Sequence, residues 1–306
     1  MAGIVILGVF VADTAYRASR QPKMGETILG QSFALGPGGK GSNQAVACGR
    51  LGAEVAFLSK LGADTFADMA FRTWKEAGVA PHVRQDPGTY TGAAYIFVDD
   101  ATGDNAIIIA PGAAGTITTA DIEAEADLIR GARVFMTQLE QPFDAAVRAL
   151  EIARAAGVTT ILNPAPAAEL PAGMLALCDY VTPNETEAEA LTGLPVSTGD
   201  EARAAADRLI ELGAGAAVIT LGERGALYRS AETSEVVPAL RAGAVVETTG
   251  AGDAFNGGFA TALARGASPH EAVRYGCATA AISVTRPGTA PSMPTREEVE
   301  ALLRGT

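Results

Sequence analysis

In the segment ETTGAGDAFNGG, Asp253 follows three small residues, Gly250, Ala251 and Gly252, and an apolar run over residues 254–264 comes next. Small residues at the entry to a helix turn backbone N–H groups outward at the positive end of the helix dipole, which makes an anion site. A carboxylate beside an anion site makes sense if it takes the proton from a hydroxyl attacking phosphorus. Phosphoryl transfer depends on positioning and charge stabilisation around one such base. An N-cap aspartate after a glycine turn would present the same residues.

Other polar residues sit where they could serve the same reaction. In VTPNETEAEALTG, Asn184 and Glu187 are three apart and share one face of a helix start. There they could hold magnesium through its waters, or simply form a capping box. The stretch GPGGKGSNQA looks like a phosphate loop, but a Walker sequence needs Gly where Ala34 stands and a hydroxyl where Gly41 follows Lys40. Asp13 and Glu140 each follow an apolar run, and each alone reads as a solvated loop carboxylate. With Lys40 and Asn43 they suggest polar groups converging on a hydroxyl-rich ligand, since carboxylates accept directly from sugar hydroxyls.

The elements that must position these residues alternate. Short apolar runs at 4–8, 55–60, 134–137, 159–162, 180–182 and 217–220 predict strands. Helical patterns lie at 66–77, 143–156, 185–191 and 200–212, and the tail 296–303 is helical as well. Continuous apolar strands between amphipathic helices predict a mostly parallel sheet covered on both faces, with ligands beyond the strands' carboxyl ends. The opening IVILGVFV, residues 4–11, reads as one fully buried strand. Residues 14–37 and 93–109 break the alternation with β-formers and turn signals, and 95–109 read as a hairpin around Asp-Asp-Ala-Thr-Gly-Asp. They predict a small sheet projecting from one large domain, the alternative being two long surface excursions.

Composition narrows the partners. A net charge of −12 with no basic cluster disfavours nucleic acid and anionic membranes. Cys48, Cys178 and Cys277 are few, odd in number and far apart, which fits buried thiols in a reducing cytoplasm. Two histidines, His82 and His270, give a histidine metal site or a Ser-His-Asp triad little material. No apolar run reaches transmembrane length without charges or glycines.

Taken together, GGKGSNQAVACGRLGAEVAFLSKLGAD, NPAP, PNETEAEALTG, ITLGERGA and TTGAGDAFNGG resemble the ribokinase branch of the PfkB carbohydrate kinases, in order along nearly the whole chain. The resemblance implies a three-layer αβα sandwich with a small β-sheet lid, often shared across a homodimer. It implies an ATP-dependent kinase acting on the primary hydroxyl of a pentose, D-ribose first. Asp253 aligns with the catalytic base, and Gly250, Ala251 and Gly252 with the anion hole. Gly38, Gly39, Lys40, Asn43, Asp13 and Glu140 align with the sugar site. Asn184 and Glu187 match the motif that organises Mg2+ and the nucleotide phosphates, and Thr220, Gly222 and Gly225 match the nucleotide loop. Glu247, Thr249, Ser283, Arg286, Gly288 and Ser292 align with a site for a monovalent cation, usually K+.

Three positions depart from the family pattern. Glu247 stands where Asp is usual, which adds a methylene at the cation site. Val11 stands where an Asn often precedes the sugar-binding Asp, which removes a hydroxyl contact and suits a deoxy sugar. Cys277 stands where a His often packs on adenine. Two other function classes compete. A non-catalytic sugar or nucleotide sensor would not need Asp253. A dinucleotide oxidoreductase would need G-x-G-x-x-G after the first strand, and Gly8-Val9-Phe10-Val11-Ala12-Asp13 is not that pattern.

Overall fold

The computed structural model describes residues 3–305. In chain order the first strands are β1 (Ile4–Leu7), β2 (Val11–Ala18), β3 (Ser32–Gly38), β4 (Val55–Leu61) and β5 (Val79–Gln85). There follow β6 (Thr91–Asp99), β7 (Asn105–Gly112), β8 (Val134–Thr137), β9 (Thr159–Leu162), β10 (Tyr180–Val181), β11 (Ala216–Thr220), β12 (Ala226–Ser230) and β13 (Ser234–Val237). The helices are α1 (Lys40–Arg50), α2 (Thr65–Ala77), α3 (Thr119–Ala124), α4 (Ala126–Arg130) and α5 (Phe143–Ala155). The later ones are α6 (Glu185–Thr192), α7 (Gly199–Glu211), α8 (Ala251–Ala264), α9 (Pro269–Ser283) and α10 (Arg296–Arg304).

A nine-stranded sheet runs β13-β12-β11-β10-β9-β8-β1-β4-β5, parallel from β11 to β5, with β12 and β13 added antiparallel at one edge. Its central strands are buried on both faces, which explains their unbroken apolar sequences. Ile4, Ile6, Phe57 and Met136 pack on one side with Trp74, Phe255 and Phe259 of α2 and α8. Val5, Leu7, Leu58 and Phe135 pack on the other with Ile122, Leu150 and Leu209 of α3, α5 and α7. These layers are the expected αβα sandwich.

The second sheet, β3-β2-β6-β7, is built from the two irregular regions. β2 pairs antiparallel with β3 and parallel with β6, and the β6–β7 hairpin turns at the expected Asp-Asp-Ala-Thr-Gly-Asp. IVILGVFV is not one strand, however. The chain leaves the large sheet after Leu7 and enters the small sheet at Val11. Glycine is needed at the break: a Cβ on Gly8 would lie 2.7 Å from Gly41 Cα and 2.6 Å from Gln138 Oε1, because α1 and the residues after β8 approach the backbone closely there.

Two further differences bear on the site. GPGGKGSNQA is not a free loop, because α1 starts at Lys40, capped by Gly39 at φ 88°. A Cβ on Gly39 would meet Val9 O at 2.5 Å. The edge strand β5 reads poorly as a strand because Pro81, His82 and Arg84 interrupt it, residues an edge tolerates. Among the described residues no helix is long and apolar enough to cross a membrane.

Candidate active site

The N-terminus of α1 meets the N-terminus of α8, and glycine permits the approach. A Cβ on Gly257 would lie 2.4 Å from Ala47 Cβ and 3.1 Å from Gln44 O. With α1 and α8 this close, Asp253 falls beside Asn43 and Gln44. Asn43 Nδ2 donates to Asp253 Oδ2 at 2.9 Å, and Gln44 Nε2 donates to Oδ1 at 3.0 Å. Asp253 is therefore not a cap. The N-cap of α8 is Gly250 at φ 82°, and the aspartate, buried in the first turn, gives both oxygens to another helix.

Around the turn, Ala251 N–H donates to Thr248 O at 3.1 Å, while the N–H groups of Gly250, Gly252 and Asp253 have no acceptor among the described residues. Free amides at the start of a fourteen-residue helix suit an anion. Of the three residues expected there, Ala251 has its own amide engaged in the turn.

Asp13 and Glu140 reach the same cleft from different sheets. Asp13 lies on β2 of the small sheet, folded over Gly38, where a Cβ would come within 2.2 Å of Oδ2. Burial, with Asp253 nearby, raises the Asp13 carboxyl to about 6. Glu140 follows β8, and its Oε2 accepts from the Lys40 backbone N–H at 2.8 Å. Burial raises Glu140 to about 7 against the pull of Lys40. The Lys40 ammonium also lowers Glu187 and Asp253, whose carboxyls burial raises overall. Glu140, Glu187 and Asp253 thus share the field of one lysine, with Asp13 beside Asp253, an arrangement that favours hydroxyl donors and a cation.

Asn184 and Glu187 form the capping box: Asn184 Oδ1 accepts from Glu187 N at 2.8 Å, and Glu187 Oε2 accepts from Asn184 N at 2.9 Å. The structural alternative is thus realised, yet Glu187 is buried and lies within the field of Lys40 and Asp253. Among the described residues no three His, Cys, Asp or Glu side chains form a metal cluster. Magnesium held mainly by water and phosphate oxygens needs only one such carboxylate, and Glu187 fits because just Oε2 is engaged.

Thr220 ends β11, next to Asn184 through an isolated bridge. Leu221 N–H closes the following loop on Gly225 O at 2.8 Å. Gly222 and Gly225 hold φ of 56° and 99°, and a Cβ on Gly225 would collide with the backbone of Val237. Cys277 is buried in the core on α9, where burial pushes its thiol up to about 12 and leaves a neutral apolar surface.

Of the cation set, Glu247 and Gly288 come together, with Glu247 Oε2 accepting from Gly288 N at 2.8 Å. Ser283 Oγ and Ser292 Oγ donate to Ala280 O and Thr289 O, which leaves their oxygen lone pairs as potential ligands. Arg286 pairs with Glu298, and Thr249 is exposed. Thr289 Oγ1 also donates to Pro37 O at 3.0 Å, tying this loop to the small sheet.

Sequence reasoning missed the polar layer beneath Asp253: Gln44, Gln138, Asn163, Thr182 and Asn256. Asn256 Nδ2 donates to Gly252 O at 2.9 Å, and Thr182 Oγ1 donates to Asn256 Oδ1 at 2.6 Å. The only signal was position, Gln44 directly after Asn43 and Asn163 directly after a strand.

Residues 1–296 match the profile of the pfkB family carbohydrate kinases. The chain belongs to that family. It is 39% identical over 301 residues to the ribokinase of Haemophilus influenzae, covering 98% of each chain. It is 38% identical over 302 residues to the deoxyribokinase of Salmonella typhi, again covering 98% of each. The structure of Arabidopsis thaliana ribokinase complexed with ribose and ATP superposes with a TM-score of 0.92 at 31% identity, covering 99% of both chains. In this family setting the two-layer cleft, with acids from both sheets around α1 and α8, is the candidate active site.

Proposed function

We propose that this chain transfers the γ-phosphoryl group of ATP to the primary hydroxyl of a pentose, D-ribose first, giving the 5-phosphate. The observation that carries this reading is Asp253, buried, held by Asn43 and Gln44, and set among free amides at the start of α8. Asp253 takes the hydroxyl proton, and the amides of Gly250 and Gly252 stabilise charge on the transferring group. Asp13, Glu140 and Asn43 hold the sugar, with Gly38, Gly39 and Lys40 shaping that side. The buried Asn43 Oδ1 has no partner among the described residues, which suits a sugar hydroxyl donor. Asn184, Thr220, Gly222, Gly225 and Cys277 line the nucleotide side. Glu187 would hold Mg2+ through water, and the ion would supply neutralisation of phosphate charge when bound. Glu247 with Thr249, Ser283, Arg286, Gly288 and Ser292 would hold an activating K+.

The small sheet acts as the lid that excludes competing water. Its face opposite Asp13 carries Tyr16, Phe33, Leu35 and Ile108, all substantially exposed and aligned across strands. Such a patch supports a homodimer through the lid. The three buried free cysteines suit a cytoplasmic protein.

A second reading, a 2-deoxyribose kinase, has its own support. Val11 is buried two residues before Asp13 on the same strand, so it offers an apolar wall where a hydroxyl would want a partner. The likeness to a deoxyribokinase points the same way. The test is kcat/KM with ATP, Mg2+ and K+ for D-ribose, 2-deoxy-D-ribose and hexoses. A preference for ribose supports the first reading, a preference for the deoxy sugar the second, and no turnover with any of them rejects both.

A further inference from the structure

The reading of Asp253 as the base leaves open what fixes its carboxylate. We propose that Gln44 is a positioning residue that locks Asp253 through a buried amide relay running from Gln138 through Gln44 to Asn163. This rests on the proposed role of Asp253.

The hydrogen bonds determine which way each amide points. Thr182 O is a backbone carbonyl and can only accept, so Asn163 must present Nδ2 to it, as it does at 3.0 Å. Asn163 Oδ1 is then left to accept, and it takes Gln44 Nε2 at 3.0 Å. The same Nε2 group carries two hydrogens, and the second goes to Asp253 Oδ1. Gln44 Oε1 accepts from Gln138 Nε2 at 2.5 Å. A flipped Gln44 would set oxygen against two acceptors and nitrogen against a donor, so the relay holds one orientation.

Asn43 and Gln44 divide the work on the carboxylate. Asn43 Nδ2 donates to Oδ2, and its Oδ1 has no partner among the described residues, so that amide also answers to the sugar. Gln44 is fully buried with both ends of its amide engaged, so it has no surface to offer a substrate. It is the fixed half of the clamp. Gly8 and Gly41 belong to the same construction, because a Cβ on either would strike Gln138 Oε1 at 2.6 and 2.7 Å.

The test is Gln44→Met, which keeps length and volume but removes the donor. The expected result is a fall in kcat of about 10- to 100-fold, the cost of an unfixed catalytic group, with the KM for sugar within about 3-fold. The acid limb of the kcat profile should also move to higher pH, since a hydrogen bond to the charged carboxylate is lost. The charged groups facing Asp253 are Lys40 of α1, Asp13 of β2, Glu140 after β8 and Glu187 of α6, all retained in the variant. A merely structural role would lower the melting temperature without moving the limb or splitting kcat from KM. Wild-type kcat with an unmoved limb overturns the proposal. If Gln44→Met does not fold, Gln138→Met removes only the donor to Gln44 Oε1, and the same split in smaller degree is expected. Wild-type kcat in a folded Gln138→Met then overturns it. Asp253→Asn is run alongside. Substantial turnover there rejects the base assignment itself, whereas an inactive Asp253→Asn beside an unaffected Gln44→Met rejects only the relay.

Discussion

Gly38→Ala tests the sugar side of the cleft with a single methyl group. A Cβ on residue 38 would lie 2.2 Å from Asp13 Oδ2 and 2.4 Å from Cγ and Oδ1, so the carboxylate cannot stay where it is. Gly38 is not among the positive-φ glycines, so alanine meets no backbone strain there, and the fold should tolerate it. The damage falls on Asp13, which must rotate out of the cleft. A hydrogen bond from a sugar hydroxyl to an ionised carboxylate contributes about 1.5–3 kcal/mol. Losing one lowers kcat/KM for the sugar by about 10- to 150-fold, mostly through KM. Gly36→Ala is the matched control: it lies opposite Asp13 on β3, has ordinary φ, and its added Cβ would meet nothing within 4 Å. The assay is steady-state ADP release against sugar concentration for both variants and the parent, with melting temperatures measured in parallel. If Gly38→Ala and Gly36→Ala share the parent's KM, Asp13 does not hold the sugar and that half of the assignment fails.

Other perturbations address the remaining parts of the site. Asp253→Asn should abolish turnover and leave sugar binding nearly intact, as read by calorimetric titration; retained turnover refutes the base. Burial raises Glu140 from 4.5 to about 7, so between those values the folded chain keeps a proton that the unfolded chain has lost, and this group's stabilisation fades as pH rises through 7. Glu140→Gln should therefore stabilise the ligand-free protein at pH 8 by about 1–3 kcal/mol and do little at pH 4, measured by urea unfolding; equal effects at both pH values would contradict the shift. K+ should activate more than Na+ at equal ionic strength, and equal rates would count against a selective site at Glu247. Ile108→Asp, placing a charge on the lid's exposed apolar face, should yield monomers in sedimentation, and an unchanged mass would remove the lid as the interface.

Much of the fold was legible because its central strands have only one reading. VFMT and TTIL are apolar, short and bounded by helices, and the expected limits agree with β8 and β9 residue for residue. The hairpin of β6 and β7 was legible for the opposite reason, alternation around a turn-rich tip. IVILGVFV misled because apolar composition says a segment is buried but not in which sheet. The switch at Gly8 depends on Gly41 and Gln138, which lie 33 and 130 positions away along the chain. The start of α1 misled in a similar way, since a glycine-rich sequence around Lys40 reads as loop until Val9 O is seen against Gly39.

The site divides along the same line between local and distant information. Asn184 and Glu187 could be placed on one helix face from spacing alone, and the capping box they form is a local structure. Asp253 could not be assigned locally, because a cap and a base share the same sequence, GAGD. What separates them is where the carboxylate's hydrogen bonds go, and those partners, Asn43 and Gln44, are some 210 residues away. A cap would satisfy its own helix, whereas this aspartate leaves the amides of Gly250 and Gly252 free and is itself held from α1. Free amides and a tethered acid in one turn suit in-line transfer to a hydroxyl, because the amides can hold the phosphoryl oxygens while the carboxylate, held from α1, does not occupy them. That arrangement costs the fold buried charge, which the Lys40 ammonium and the hydrogen bonds from Asn43 and Gln44 partly offset.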